Sequence, residues 1–177
     1  MTKATRKIGL GVMGFADLLI QLKISYNSDK AREVGKHIIE RIRHWADDES
    51  LLLGVSRGTF PAWGNSNYNK KSEPYRNHCR LTVAPTGTIS MIADCSSGIE
   101  PTFALAWKKQ NILEGKTLNY VNKYFENTAK KEGFYSEELM DYLAGGGSLQ
   151  NRKDIPEWVK EVYITAPEIS PKDHVLM

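Results

Sequence analysis

The stretch Leu81-Thr82-Val83-Ala84-Pro85-Thr86-Gly87-Thr88-Ile89-Ser90 decides how this chain is interpreted. Residues 81–84 are apolar or β-branched and predict a short buried strand. Pro85 cannot extend a strand ladder, and the small hydroxyl-bearing residues after it suit the first turn of a helix. The apolar body of that helix is expected to consist of Ile89, Met91, Ile92 and Ala93.

A strand that turns sharply into a helix leaves free backbone N–H groups at the positive end of the helix dipole. Gly87 allows an anion to approach the backbone, while Thr86, Thr88 and Ser90 offer hydroxyl donors. These features predict a phosphate cradle without a charged side chain. The alternative is an ordinary helix cap, in which Thr86 or Thr88 only satisfies the free N–H groups.

Three ordered motifs resemble the large chain of the ribonucleotide reductase family. The first runs from Ala84 to Leu105 and includes Pro85-Thr86-Gly87-Thr88, which is similar to the sequence found at this place in the adenosylcobalamin-dependent (class II) branch. The second is Arg6-Lys7-Ile8-Gly9-Leu10-Gly11-Val12-Met13-Gly14-Phe15-Ala16-Asp17-Leu18-Leu19, which resembles a barrel helix. The third, Thr165 to His174-Val175, resembles the family's Thr-Ala-x-x-Ile-x-Pro-x-x-His-Val segment.

The resemblance implies an α/β fold, namely part of a ten-stranded barrel in which ribonucleotides are reduced to deoxyribonucleotides by radical chemistry. It also implies adenosylcobalamin as the radical-generating cofactor and a ribonucleoside di- or triphosphate as the substrate. By the same resemblance, the substrate phosphates would be held by Thr86, Gly87, Thr88, Ile89 and Ser90. Glu100, beside the cradle, is expected to support a loop, to form a structural salt bridge or to orient a hydroxyl.

The family's radical cysteine motif, its redox cysteines and its allosteric module have no counterpart in this sequence. Residues 1–177 are therefore expected to form a single partial domain, the C-terminal portion of the barrel, with no catalytic residue of its own. We expect it to be inactive in isolation and to need the remaining part of the barrel as a partner. The alternative is a non-catalytic nucleotide-binding or regulatory module that associates with a complete reductase.

The length, charge and composition of the chain exclude several classes of protein. The 177 residues suffice for one domain with a real core, and the formal net charge is only +3. No basic block is interleaved with aromatic residues, so a nucleic-acid polymer is not an expected partner. No apolar run reaches the ~20 residues of a membrane span. Two cysteines, Cys79 and Cys95, match neither a redox pair nor a zinc site, and a cytoplasmic location is expected.

Apolar periodicity and turn residues predict the remaining elements. We expect helices at about 4–22, from Ser28 or Asp29 to about 53, at 123–131, at 137–143 and near 156–161. Two strands, 104–110 and 117–121, are expected around a turn at Glu114-Gly115. Residues 56–77 predict a long ordered loop, and Ser170-Pro171 predicts the start of a last helix.

Three sequence patterns resemble functional motifs, but the residues around them argue against those functions. Gly9-x-Gly11-x-x-Gly14 matches a dinucleotide-binding fingerprint but follows no buried strand, so we expect these glycines to let a helix pack closely. Cys79 lies in Asn-His-Cys-Arg, where the family's radical motif would need Glu after the cysteine, and is not assigned that role. His37 and His44 share a helix face without a third ligand, so no metal site is expected.

Overall fold

The computed structural model describes the backbone of residues 2–112 and 116–177 and the side chains of residues 2–108 and 120–177. Its strands are β1 (Ala106–Ile112) and β2 (Lys116–Val121). The α-helices, in chain order, are α1 (Thr2–Thr5), α2 (Phe15–Gln21), α3 (Asp29–Arg57), α4 (Asn67–Lys70), α5 (Gly87–Ile92), α6 (Lys123–Glu132), α7 (Glu137–Ala144), α8 (Glu157–Val162) and α9 (Pro171–Leu176). Short 3₁₀ turns occupy Trp63–Asn65, Leu149–Asn151 and Ala166–Glu168.

The predicted first helix over 4–22 is wrong in its middle, because residues 6–14 form a non-helical connection between α1 and α2. Leu10 makes a parallel bridge with Leu81, and the N–H of Leu10 donates to the Arg80 carbonyl at 2.8 Å. A Cβ on Gly9 would lie 2.5 Å from Cγ2 of Thr82, and one on Gly11 would lie 2.6 Å from the Thr82 carbonyl oxygen. The glycines thus permit close pairing of two extended segments, and the predicted role in helix packing is corrected.

The predicted strand over 81–84 is reduced to this single bridge at Leu81. Val83 is 69% exposed, and Ile92 of the following helix α5 is 83% exposed. The expectation of a buried strand and a buried apolar helix body is therefore not met within this chain. Burial requires a neighbouring element, and no described part of the chain packs over these side chains.

The long helix α3 begins where the sequence predicts. Ser28 is its N-cap, and the Ser28 hydroxyl oxygen accepts a hydrogen bond from the Ala31 N–H at 3.1 Å. The helix continues past Gly54 to Arg57, four residues beyond the predicted end at 53, and Gly58 follows in a left-handed conformation with φ 81°. Gly54 lies inside the helix, and the position has no room for a side chain because it packs directly against the Pro74 carbonyl.

The predicted hairpin is confirmed as an antiparallel pair, with Ala106 opposite Val121. Its predicted turn at Glu114-Gly115 lies outside the described residues. The later helices α6, α7, α8 and α9 are confirmed close to their expected bounds. Side chains of Asn122, Ser136 and Ser170 accept N-terminal N–H groups of α6, α7 and α9. The predicted loop over 56–77 is partly helical, since it contains α4 and one 3₁₀ turn.

Two apolar clusters form the interior, and α2 contributes to both. Ile20 joins the cluster made by the hairpin and helices α6, α7 and α8, in which Phe125 and Val159 are fully buried. Leu19 joins the second cluster, with Ala31 of α3 and Ile169. Helix α2 thereby connects the two apolar clusters. Within those residues, no helix is both long and apolar enough to cross a membrane.

Candidate functional site

The predicted cradle lies in a tight turn between Leu81 and α5. Thr86 precedes the helix with φ 52° and ψ 23°, a left-handed conformation that a β-branched residue rarely adopts. Its hydroxyl oxygen accepts a hydrogen bond from the Gly98 N–H at 2.7 Å and makes no cap bond to α5. The cap alternative is therefore excluded for Thr86. The tertiary bond to Gly98 helps to hold this unfavourable backbone conformation.

The backbone N–H groups of Gly87, Thr88 and Ile89 form the open face of the turn. Among the described residues they have no hydrogen-bond acceptor, and the first helical bond is from the Ser90 N–H to the Thr86 carbonyl at 2.8 Å. Thr88 is exposed and its hydroxyl likewise has no partner in the described part of the chain. The Ile89 side chain is 54% exposed. The donors expected from sequence at these three positions are available to an anion.

Ser90 occupies a different environment from the other predicted contacts. It is 2% exposed, its hydroxyl donates to the Gly87 carbonyl at 3.2 Å, and the same hydroxyl lies 3.0 Å from Oγ of Ser97. Ser90 therefore links the turn to the segment that follows α5 and does not present its hydroxyl to solvent.

We call that segment, Cys95–Glu100, the bracing loop. Helix α2 holds it through Asp17, whose carboxylate accepts the Ser96 N–H at 2.8 Å. Burial raises the pKa of Asp17; the Ser96 bond and Lys123 lower it in part, and Asp94 raises it further. Tyr26 holds the other end, donating its hydroxyl to the Ile99 carbonyl at 2.6 Å. Burial first, and then the charge of Glu100, raise the pKa of Tyr26 to about 12.

Glu100 is exposed at the end of the bracing loop. Its backbone N–H closes a turn by donating to the Ser97 carbonyl at 3.0 Å. The charge of its carboxylate contributes to the raised pKa of Tyr26. Among the described residues it forms no salt bridge. The observed contribution of Glu100 to the loop is a backbone contact.

A cavity of about 680 Å³ opens beside the turn. This volume lies in the range of small-molecule sites. Its lining includes Gly87, Met91 and residues of the bracing loop, together with Trp107 and Tyr120 of the hairpin. These two rings stack with centroids 5.8 Å apart and planes 8° apart. At the rim, Nζ of Lys123 lies 2.6 Å from a carboxylate oxygen of Asp94.

Sequence reasoning missed Asp17, Tyr26 and Gly98 as parts of this site. A signal existed for Asp17, since it is a carboxylate on a helix face otherwise occupied by Ala16, Leu19 and Ile20, and a buried charge needs a specific partner. No local signal marked Tyr26 or Gly98, because their partners are 73 and 12 residues away in the chain.

The remaining candidates lie apart from the cradle or play structural roles. Cys79 and Cys95 are free, half-buried thiols, and the Cys79 thiol donates to the Leu81 carbonyl at 3.2 Å. The neighbour of Cys79, Arg80, pairs with Asp47 at 2.6 Å. His44 lies 3.3 Å from Asp48. The described part of the chain brings together no three His, Cys, Asp or Glu side chains able to hold a metal.

Sequence comparison identifies relatives along the whole chain. The family described as "Ribonucleotide reductase, barrel domain" matches residues 1–75 and 69–177. A vitamin B12-dependent ribonucleoside-diphosphate reductase of Thermoplasma acidophilum is 50% identical over 177 residues, covering all of this chain and 23% of that protein. A reductase of the same name from Mycobacterium tuberculosis is 42% identical over 175 residues, covering 99% of this chain and 25% of that protein. This chain thus spans about a quarter of the length of these relatives.

Comparison with solved structures agrees with the sequence comparison. The alpha subunit of the class Id ribonucleotide reductase of Actinobacillus ureae superposes with a TM-score of 0.77 at 25% identity, covering 97% of this chain and 30% of that one. The α/β barrel fold expected from the three motifs is confirmed, with this chain forming part of the barrel of a catalytic subunit. A match of this extent in both sequence and structure leads to one conclusion: the chain belongs to the barrel-domain family of the ribonucleotide reductases.

Proposed function

We propose that this chain supplies the substrate-phosphate contacts of a reductase that converts ribonucleoside diphosphates to 2′-deoxyribonucleoside diphosphates. The observation that carries the proposal is the 50% identity, over all 177 residues, with a protein named as a vitamin B12-dependent ribonucleoside-diphosphate reductase. The turn at Thr86–Ser90 supports it, because its free N–H groups adjoin a cavity of nucleotide size.

The phosphate contacts divide into direct and supporting ones. The N–H groups of Gly87, Thr88 and Ile89 and the Thr88 hydroxyl would donate to phosphate oxygens. Thr86 and Ser90 would act indirectly, since their hydroxyls bond to Gly98 and Ser97. Converging N–H groups carry enough partial positive charge to bind an anion without a lysine or arginine.

The cofactor belongs, in this proposal, to the complete reductase. Adenosylcobalamin follows from the names of the relatives, and when bound it supplies the radical that starts the reaction. We assign no residue of this chain to the cofactor and derive no step of this chain from it. The chain's own part is to bind and orient the substrate in a single partial barrel domain completed by the rest of the reductase.

We also propose a cytoplasmic location for this reductase. Cys79 and Cys95 are free thiols, as is usual in a reducing compartment. Fluorescence microscopy of a tagged chain in its own cells would test it, and a signal confined to another compartment would contradict it.

Complementation in vitro tests the function. This chain is mixed with a separately produced polypeptide carrying the remainder of the barrel, and reduction of CDP is assayed with and without adenosylcobalamin. We expect activity that requires both polypeptides and the cofactor. Thr88→Ala should raise KM for CDP by about 5-fold through loss of one hydrogen bond to phosphate. Thr2→Ala, which removes an exposed hydroxyl in α1, is the matched control and should leave KM unchanged.

The possible failures have different meanings. Stable association without activity would favour a non-catalytic nucleotide-binding or regulatory module. Full activity with an unchanged KM in Thr88→Ala would reject the direct role of that hydroxyl. Turnover by this chain alone would overturn the expectation that it needs the rest of the barrel.

A further inference from the structure

The phosphate-binding turn is held from outside by the bracing loop. The Gly98 N–H donates to Oγ1 of Thr86 at 2.7 Å, and a Cβ on Gly98 would lie 2.7 Å from the Ala84 carbonyl oxygen. A second link joins the hydroxyls of Ser97 and Ser90 at 3.0 Å. The bracing loop therefore touches the turn on both sides of the three free N–H groups.

Helix α2 fixes the near end of the bracing loop. The carboxylate of Asp17 accepts the Ser96 N–H at 2.8 Å, and the Asp17 N–H donates to the Ser96 hydroxyl at 3.2 Å. The Gly14 N–H also donates to the Ser96 carbonyl, at 2.7 Å. Asp17 is only 5% exposed, so its bond to Ser96 is shielded from competing water.

Tyr26 fixes the far end. Its hydroxyl donates to the Ile99 carbonyl at 2.6 Å, and its ring is 7% exposed and packs edge-on against Phe15 of α2 at 6.2 Å. The pKa of Tyr26 is raised to about 12, so the hydroxyl stays protonated and keeps donating into the alkaline range.

We propose that Asp17 and Tyr26 are positioning residues for substrate binding: through the bracing loop they hold Thr86 in the conformation that aims three backbone N–H groups at the substrate's phosphates. The inference rests on the proposed function. Its physical basis is that Thr86, at φ 52°, is in a conformation that is unfavourable for a β-branched residue and persists only where its surroundings enforce it. Loosening the brace frees Thr86, and the N–H groups cease to converge.

The experiment compares two tyrosines in the reconstituted reductase. Tyr26→Phe removes the bond to Ile99. Tyr163→Phe is the matched control, because Tyr163 is also buried and also donates its hydroxyl to a backbone carbonyl, that of Tyr124 at 3.0 Å, in the other apolar cluster. KM and kcat for CDP, the equilibrium binding of CDP without cofactor, and the unfolding temperature are measured for each.

We expect Tyr26→Phe to weaken CDP binding and raise KM by about 5-fold with little change in kcat, since ground-state and transition-state binding are lost together. Asp17→Ala should act in the same direction, and Asp17→Asn, which keeps an acceptor for Ser96, should restore most of the affinity. Tyr163→Phe should lower the unfolding temperature and leave KM unchanged.

Equal KM for Tyr26→Phe and Tyr163→Phe, whether both raised or both unchanged, would overturn the inference. A KM raised by Asp17→Asn as much as by Asp17→Ala would overturn the part assigned to Asp17. The proposed function itself is tested separately. It fails if CDP binding is unchanged by Thr88→Ala and is also unchanged when this chain is removed.

Discussion

At the scale of single residues, a contact with a distant residue overrides the backbone preference of Thr86. Threonine disfavours a left-handed backbone, and glycine stands next to it at position 87. Even so, Thr86 adopts φ 52°, because its hydroxyl oxygen accepts a hydrogen bond from the Gly98 N–H at 2.7 Å. The hydroxyl oxygen of Thr86 thus shapes the turn, and phosphate binding by this residue stays a prediction.

The titration of Asp17 gives a prediction at this scale. Burial raises its pKa above 3.8, so the folded chain binds this proton more tightly than the unfolded chain does. The resulting stabilisation is complete below about pH 3.8 and is lost as the pH rises through the folded-state pKa. Asp17→Asn removes this dependence, and its free energy of unfolding relative to wild type should rise with pH across that window, as measured by urea titration at a series of pH values.

Asp154→Asn is a control of opposite sign. The hydrogen bond from Arg152 holds the pKa of Asp154 below its usual range, so wild type gains stability as the pH rises. The relative stability of Asp154→Asn should fall with pH. An Asp17→Asn curve parallel to that of Asp154→Asn would contradict the assignment.

At the scale of elements, helix α3 shows why a glycine does not always end a helix. Gly54 lies three residues before the end of a 29-residue helix and is buried. A Cβ built there would lie 1.6 Å from the Pro74 carbonyl oxygen, so the position needs glycine for the sake of the neighbouring segment. The backbone near Pro74 is held there by the Arg76 N–H, which donates to the Ser50 carbonyl at 2.9 Å.

Substituting this glycine tests the point. Gly54→Ala should destabilise the chain by about 3 kcal/mol, because overpacking against backbone outweighs the roughly 1 kcal/mol gain in helix propensity. Gly35→Ala in the same helix is the matched control. Its Cβ would lie 3.2 Å from the Phe15 ring, and a side chain can move. Urea unfolding should place Gly35→Ala within about 1 kcal/mol of wild type, and similar losses for both variants would refute this explanation.

At the scale of the whole molecule, several strongly exposed apolar side chains lie near the turn at Thr86–Ser90. Ile92 is 83% exposed, Phe103 79%, Val83 69% and Met91 68%. Exposed apolar patches of this kind mark contact surfaces. In the proposed function, the remainder of the barrel covers them, which accounts for the sequence prediction of a buried strand and helix here.

Association with the rest of the barrel should therefore depend on Ile92. Ile92→Gln should change the stability of this chain by less than about 0.5 kcal/mol, because the residue is exposed. The same change should weaken association with the remaining barrel by about 10-fold, through loss of roughly 1.5 kcal/mol of apolar burial. Lys131→Gln, an exposed substitution in α6, is the control. Analytical ultracentrifugation measures both, and equal affinities would contradict the prediction.

The sequence by itself determined the family, through three ordered motifs, and the local elements whose signals lie within a few residues. Ser28, Asn122 and Ser170 each cap the next helix, and their cap bonds span only two or three residues. Only the tertiary structure decided that residues 6–14 are not helical, that Thr86 is left-handed, and that Asp17 and Tyr26 hold the loop beside it. These features depend on contacts between segments 12 to 79 residues apart, such as Asp17 with Ser96, and no local pattern encodes which segments will meet.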